Sequence, residues 1–300
     1  MLNKYIDSVQ DLDNSLQYWK NYTFSDSYVK LDNAVESFST DRPLVEGRQD
    51  YPGRWVLCKS DTKGRREAIF HTAAVWRWNS DLDTGNFLFM SCHLDRSIHP
   101  PHSQRTPNNL CQLSYAVDTM RDKSIWTAQQ AFEKHMEAHP AFNMTGKDRR
   151  AWQNGESSTA TYVLSAQVFM KRTKFTARME EKIPYPIHDW IVKGTEKTAW
   201  FANPDKPRIF EPQAGKLRDI KEANPPYLKT GDLVWMSFYA EFIIGLNYWS
   251  TTFTPVEIIR VGTVAPHLVG DGYKAVDEVV PRQALSVGDV ICLSKSSAIL

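Results

Sequence analysis

The chain has little cysteine and no excess of charge, and each shortage excludes a class of protein. Its four cysteines form no CxxC pair, which excludes a dense disulfide framework and favours reduced thiols inside a cell. Lys and Arg number 36 against 35 Asp and Glu, so no global basic field attracts duplex DNA. Contact with a nucleic acid would therefore require a local basic patch.

The chain also lacks long apolar runs and the common phosphate-binding and hydrolase motifs. The least charged stretch, 233–256, alternates and contains Glu241, Asn247 and Pro255, which excludes a transmembrane helix. No GxxxxGK[ST], GxGxxG or GxSxG occurs, so NTPase, Rossmann and serine-hydrolase functions have no support. The charged first residues predict no secretory signal. We expect a soluble intracellular protein, cytoplasmic or nuclear and not bound to a membrane, and leave open whether it is an enzyme.

The first half of the sequence predicts helices and a β-meander. Apolar residues at three- and four-residue intervals indicate one helix within 1–22 and another over about 110–138, which Pro140 ends. Three runs rich in aromatic and β-branched residues, 55–58, 67–78 and 86–94, are separated by Asp- and Gly-containing turns and predict the meander. Residues 97–109, with three prolines, predict a loop.

The second half predicts antiparallel strands. The strongest pattern is a long hairpin of 233–244 and 249–261, and shorter strands are predicted at 161–169, 190–192, 198–201 and 208–210. Gly231-Asp232 and Gly288-Asp289 each precede a β-run, which favours tight turns between successive strands. The expected fold class is α+β, in which the second half of the chain forms an antiparallel β-barrel or β-sandwich. An OB-like barrel is one form that fits this pattern. A polar break at 154–158 predicts two domains, 1–154 and 155–300.

Aromatic and basic residues suggest a surface for single-stranded nucleic acid. Two indoles at alternate positions of a strand could stack bases while nearby cations follow the phosphates, although such tryptophans are more often core residues and such cations solvated. The expected function is non-enzymatic binding of single-stranded DNA or RNA, with a protein–protein interaction module as one alternative. The candidate residues are Trp76, Trp78, Arg65, Arg66, Lys171, Arg172, Lys174 and Arg178.

A cysteine and histidine cluster supports another alternative, a zinc or iron site with a structural or catalytic role. Its thiolates and imidazoles have the chemistry of zinc ligands, although no CxxC or HExxH is present. His93 and Asp95 also fit the HxD spacing of a facial iron triad, with His188 or His267 as the third ligand. Otherwise no cofactor is expected. The candidate ligands are Cys92, His93, His99, His102, Cys111, His135 and His139.

One block of the sequence resembles a known group of proteins. Residues 228–262 contain Gly231-Asp232-Leu233-Val234-Trp235 and, further on, Glu241-Phe242-Ile243-Ile244-Gly245. This block resembles uncharacterised hypothetical proteins of mushroom-forming fungi. The resemblance implies a eukaryotic intracellular source and carries no catalytic residue or partner with it.

Overall fold

The computed structural model describes residues 4–61, 66–89, 103–150, 160–174 and 176–269. The helices are α1 (Val9–Asn21), α2 (Leu31–Ser37), α3 (Ser124–Glu137), α4 (Ala177–Glu180) and α5 (Asp189–Thr195). The strands in the first part of the chain are β1 (Lys4–Ile6), β2 (Val29–Lys30), β3 (Val45–Tyr51), β4 (Arg54–Lys59), β5 (Phe70–Asn79), β6 (Gln112–Asp118) and β7 (Asp148–Arg149). Those that follow are β8 (Thr161–Gln167), β9 (Phe169–Lys171), β10 (Trp200–Ala202), β11 (Arg208–Gln213), β12 (Lys216–Asp219), β13 (Asp232–Ile244) and β14 (Tyr248–Val264).

Twelve of these strands form one mixed sheet built around the hairpin of β13 and β14. The sheet runs in the order β12-β11-β14-β13-β5-β6-β8, with short strands added beside it, and β9 pairs with β10 in a separate ribbon. The α+β class is confirmed. The predicted barrel or OB-like form is not, because the sheet is not closed among the described residues.

The chain forms two compact units. Unit 1 takes its described residues from Met1–Arg77, Ala116–Leu164 and Pro207–Tyr273. Unit 2 takes its described residues from Trp78–Tyr115 and Ser165–Lys206. Residues 151–159 lie outside the described part of the chain, so the boundary predicted at 154–158 stays a prediction.

In unit 1 both faces of the central hairpin are covered by helices. The α1 face carries Ala73, Trp235 and Ile259 and packs against Leu16 and other apolar residues of α1. On the opposite face, Phe132 of α3 lies 4.8 Å from Phe70 and 5.8 Å from Phe253 between ring centroids. Residues that alternate along β13 therefore enter two different cores. The hairpin predicted from that alternation is confirmed.

Two predicted elements are corrected and one is confirmed. Residues 112–118 form strand β6 and not the first half of a helix, because they are largely buried on both sides of the sheet and strand pairing outweighs the 3.6-residue pattern. Residues 190–192 lie in helix α5, whose first turn is capped by His188, and do not form a strand. The helix predicted within 1–22 is confirmed as α1.

The predicted meander is also wrong in its pairing. Strands β4 and β5 both pair with β13, β4 at residues 54–56 and β5 along 70–75, and only a single bridge links Cys58 to Glu67. With 13 residues, β13 is long enough to accept both partners along one edge. Residues 86–89 form no strand, only one isolated bridge from Phe87 to Gln104, and 90–102 lie outside the described residues.

Candidate functional sites

The predicted tryptophan pair is divided between core and surface. Trp76 and Trp78 lie at alternate positions of β5, but Trp76 is fully buried while Trp78 is 43% exposed. Burial of Trp76 leaves its ring inaccessible to a base, so we correct its assignment as a stacking residue. The reason is local: β5 is covered until its last three residues, where side chains emerge to solvent.

The second basic patch is exposed and lies in unit 2. Residues 171–182 contain five basic and two acidic side chains. Lys171, Lys174 and Arg178 are exposed, and none of them forms an ion pair with a described residue. Arg172 differs, because its guanidinium donates to both oxygens of Glu180 at 2.8 and 2.6 Å. We call Lys171, Lys174 and Arg178 the cation patch.

An aromatic residue that was not predicted from the sequence lies beside the cation patch. Strands β9 and β10 are antiparallel, and Trp200 lies directly opposite Lys171. Side chains directly opposite in such a ladder are on one face with Cβ atoms about 5 Å apart. Trp200 is half-buried and is therefore not fully enclosed in the core. Only the pairing register, which joins residues 29 positions apart, brings these two side chains together.

The other nucleic-acid candidates do not extend the cation patch. Arg66 is exposed in unit 1, where its backbone carbonyl accepts from the Lys59 amide at 3.3 Å. Arg65 lies outside the described residues.

The described metal candidates have structural roles. Cys111 is buried and donates its thiol to the Thr106 carbonyl at 3.4 Å, and burial raises its pKa to about 11. His135 stacks on Phe38 at 4.2 Å, and burial is the main cause of its lowered pKa. His139 accepts a hydrogen bond from the Ala141 amide at 3.2 Å. No group of three possible metal ligands occurs among the described residues. Cys92, His93, Asp95, His99 and His102 lie outside them.

A small pocket in unit 2 brings together polar side chains that satisfy one another. The ammonium of Lys206 lies 2.6 Å from the Asp83 carboxylate and 5.1 Å from the centroid of the Tyr185 ring. The Tyr185 phenol donates to the Asn203 carbonyl, and burial raises its pKa. His188, which lines the same pocket, accepts from the Trp190 amide at 3.1 Å and so caps the N-terminus of α5. These contacts explain the pocket as part of the structure of unit 2.

A polar row crosses the α1 face of unit 1 and was not found from the sequence. His71 of β5 and Glu257 of β14 both lie directly opposite Ser237 of β13. Lys30 of β2 is level with His71, and Arg208 of β11 is level with Glu257. We call these five residues the polar row. It lies two residues along each central strand from the apolar Ala73, Trp235 and Ile259, on the same face.

Burial and neighbouring side chains shift the pKa values of two groups at the polar row, the His71 imidazole and the Tyr28 phenol. His71 stacks on Trp235 with ring centroids 5.5 Å apart, and burial, followed by the charge of Lys30, lowers its pKa to about 4. The imidazole is therefore neutral near pH 7. Tyr28 donates to Glu257 at 2.9 Å, and burial followed by this bond raises the pKa of its phenol, while the nearby Ser237 hydroxyl acts in the opposite direction.

The row is not a serine-hydrolase triad. Such a triad places the histidine between the nucleophile and the acid, so that the acid orients the imidazole. Here Ser237 lies between His71 and Glu257, and Glu257 is engaged by Tyr28 and Arg208 instead. The row can supply hydrogen bonds and charge to a ligand, but the order of its residues does not activate Ser237.

Comparison with known proteins assigns the chain to no family. The chain matches no protein-family model and no curated protein. No helix among the described residues is long and apolar enough to cross a membrane. We therefore infer function from the cation patch and the polar row.

Proposed function

We propose that the protein binds single-stranded nucleic acid through the cation patch and Trp200 of unit 2. The observation that carries the proposal is the exposure of three cations, Lys171, Lys174 and Arg178, on one short segment beside the half-buried Trp200. None of the three forms an ion pair with a residue that the structure describes. Cations that form no internal ion pair are available to phosphates, and an adjacent aromatic ring can stack a base. Trp78, exposed in the same unit, is a second stacking residue of the proposal.

The small net charge of the chain and the small number of cations in the patch limit the affinity for a single strand. With a net charge of +1 for the whole chain, only the local patch attracts the strand. Three phosphate contacts on a single strand give a slope of about −2 in log affinity against log salt. We therefore expect weak binding that is measurable at low salt and largely lost at physiological salt.

Fluorescence anisotropy with labelled single-stranded DNA and RNA at 20–200 mM salt tests the proposal. The triple variant Lys171→Gln, Lys174→Gln, Arg178→Gln should abolish binding at low salt. A matched variant, Lys134→Gln, Lys216→Gln, Arg218→Gln, removes the same charge from exposed positions elsewhere and should bind within twofold of the wild type. Equal losses in the two triple variants would show a non-specific charge effect and would refute the assigned surface.

A second comparison tests stacking. Trp200→Ala should weaken binding by about five- to a hundredfold, as expected for the loss of one stacked base, whereas Trp200→Tyr should retain most of the affinity. Duplex of the same length should bind more weakly than the single strand, because its bases are not available to stack. Wild-type affinity in Trp200→Ala, or preference for duplex, would contradict the single-stranded function.

The zinc or iron site and the protein–protein interaction module stay predictions of the sequence. Four of the seven proposed ligands lie outside the described residues, so the structure supplies no geometry for a metal. Elemental analysis of untagged protein tests this alternative, and stoichiometric zinc lost in a His99→Ala, His102→Ala variant would favour it over nucleic-acid binding.

A further inference from the structure

Two neighbouring side chains of the polar row are buried without hydrogen-bond partners. The Nδ1 atom of His71 has no hydrogen-bond partner among the described residues. The Oγ atom of Ser237 lies near the Tyr28 hydroxyl but makes no hydrogen bond that meets normal geometry with a described residue. The two residues are 3% and 0% exposed. Buried polar atoms in native proteins nearly always have a partner, in the protein or in a bound molecule. Two such atoms on directly opposed residues of β5 and β13 therefore point to one group bound between them.

The charges around these two atoms differ at the two ends of the row. Glu257 has both carboxylate oxygens occupied, one by the Arg208 guanidinium and the other by the Tyr28 phenol. Lys30, at the His71 end, donates to the neutral side chain of Asn21 and forms no ion pair among the described residues. The end of the row that holds the two orphaned atoms thus lies near the positive charge of Lys30 and near the Asp32 carboxylate, whose effect on His71 is smaller than that of Lys30. Lys30 and Asp32 form no ion pair among the described residues.

We propose that the polar row of unit 1 binds an oxyanion, a carboxylate or phosphate group, held by His71, Ser237 and Lys30. The Ser237 hydroxyl and one imidazole N–H of His71 donate hydrogen bonds to its oxygens, and the Lys30 ammonium balances its charge. A neutral imidazole carries one N–H, and the tautomer protonated at Nδ1 directs it to the ligand. This site lies in unit 1 and uses no residue of the cation patch, so it does not depend on the proposed function.

Titration of the wild-type protein followed by NMR of the His71 imidazole tests the proposal. Inorganic phosphate, acetate and the uncharged ethylene glycol are added separately at constant ionic strength set with sodium chloride. We expect phosphate or acetate to shift the His71 resonances saturably at millimolar concentrations, while ethylene glycol leaves them unchanged. A response to phosphate alone identifies a phosphate ligand, and a response to acetate as well identifies a general oxyanion site.

Matched variants separate the site from general salt effects. Lys30→Gln and Ser237→Ala should each weaken anion binding at least tenfold. Lys216→Gln removes a cation from exposed β12, and Thr72→Val removes an orphaned hydroxyl next to His71 but on the opposite face, so both should bind as the wild type does. The partly exposed Lys30 tolerates substitution, which keeps the test valid if Ser237→Ala fails to fold.

Three results would overturn the proposal. His71 resonances in the wild type that respond to neither anion would show that no oxyanion binds there. A response to ethylene glycol alone would assign the orphaned atoms to an uncharged group. Equal anion affinity in Lys30→Gln and the wild type would show that the Lys30 ammonium does not hold the anion. It would then contradict the proposal that a positive charge attracts the anion to this site.

Discussion

At the scale of single residues, unit 1 contains a buried cluster of charged side chains. Arg260 is 3% exposed and donates to Glu211 at 3.0 Å and to the carbonyls of Tyr227 and Pro225 at 2.8 and 3.0 Å. Asp232, fully buried, lies 3.7 Å from the same guanidinium. Burial, which outweighs the hydrogen bond from Lys229 and the charge of Arg260, raises the pKa of Asp232 to about 6.

This pKa predicts how Asp232→Asn changes stability with pH. A carboxyl whose folded pKa exceeds its unfolded value near 4 favours the folded state below about pH 4, and that contribution is lost as pH rises through about 6. Asparagine cannot ionise, so it carries no such loss. Between pH 4 and pH 7 the free energy of unfolding of the variant should rise by about 2 kcal/mol relative to the wild type.

Urea denaturation at pH 4.5, 5.5 and 7.0 measures this difference. Glu222→Gln, which removes one negative charge from an exposed position, serves as the control for the change in net charge. A difference between Asp232→Asn and the wild type that stays constant with pH would contradict the raised pKa.

At the scale of elements, the turn before residue 86 in unit 2 is fixed by side-chain and backbone contacts together. The Asp81 carboxylate accepts from the amides of Asp83 and Thr84 at 2.9 and 2.7 Å and from the Thr84 hydroxyl at 2.9 Å. Gly85 completes the turn at φ +61°, and a Cβ atom there would lie 2.2 Å from the Gln112 carbonyl oxygen. Both the backbone angle and the space require glycine.

Gly85→Ala and Gly146→Ala together separate these two requirements. Gly146 also has a positive φ, +63°, but a Cβ atom at that position meets nothing within 4 Å. Gly146→Ala should therefore cost only about 1 kcal/mol of unfolding free energy, the penalty of the left-handed backbone. Gly85→Ala should cost several times as much, because the backbone of β6 must also move.

Chemical denaturation followed by tryptophan fluorescence compares the two glycine variants under the same conditions. Similar losses at the two positions would mean that the approach of Gly85 to Gln112 does not constrain the turn.

At the scale of the whole molecule, the two described cysteines report on global opening. Cys58 and Cys111 form no disulfide with a described residue, and both are fully buried. Burial raises the pKa of Cys111 to about 11, so little of its reactive thiolate is present at pH 8 in the folded protein. Neither thiol should react while the fold is intact.

Thiol labelling of a Cys92→Ser, Cys292→Ser variant tests this expectation. At pH 8 in native buffer we expect no reaction of Cys58 or Cys111 over hours, and complete reaction of both within minutes in concentrated urea. Rapid labelling of either thiol under native conditions would show local opening of the structure around that cysteine.

Some features of the site were accessible from the sequence, and others required pairing. The cation patch could be predicted from composition, because its three cations lie close together in the sequence with few acidic residues nearby. Trp200 and the polar row do not, because their residues come together only through strand register. Even the tryptophan pair at alternate positions of β5 was divided by how far the sheet covers the strand, with Trp76 buried and Trp78 exposed.

The sequence by itself determined the elements whose signals are local. It determined helix α1, through its apolar spacing, and the long hairpin of β13 and β14, through its two-residue alternation and turn residues. Tertiary structure decided that β4 and β5 pair with β13, more than 150 residues later, and that residues 112–118 form a strand. It also aligned His71, Ser237 and Glu257 across three strands. The physical reason is that a strand pairs with whichever distant strand edge offers it hydrogen bonds and burial, and the residues next to it in the sequence do not specify that edge.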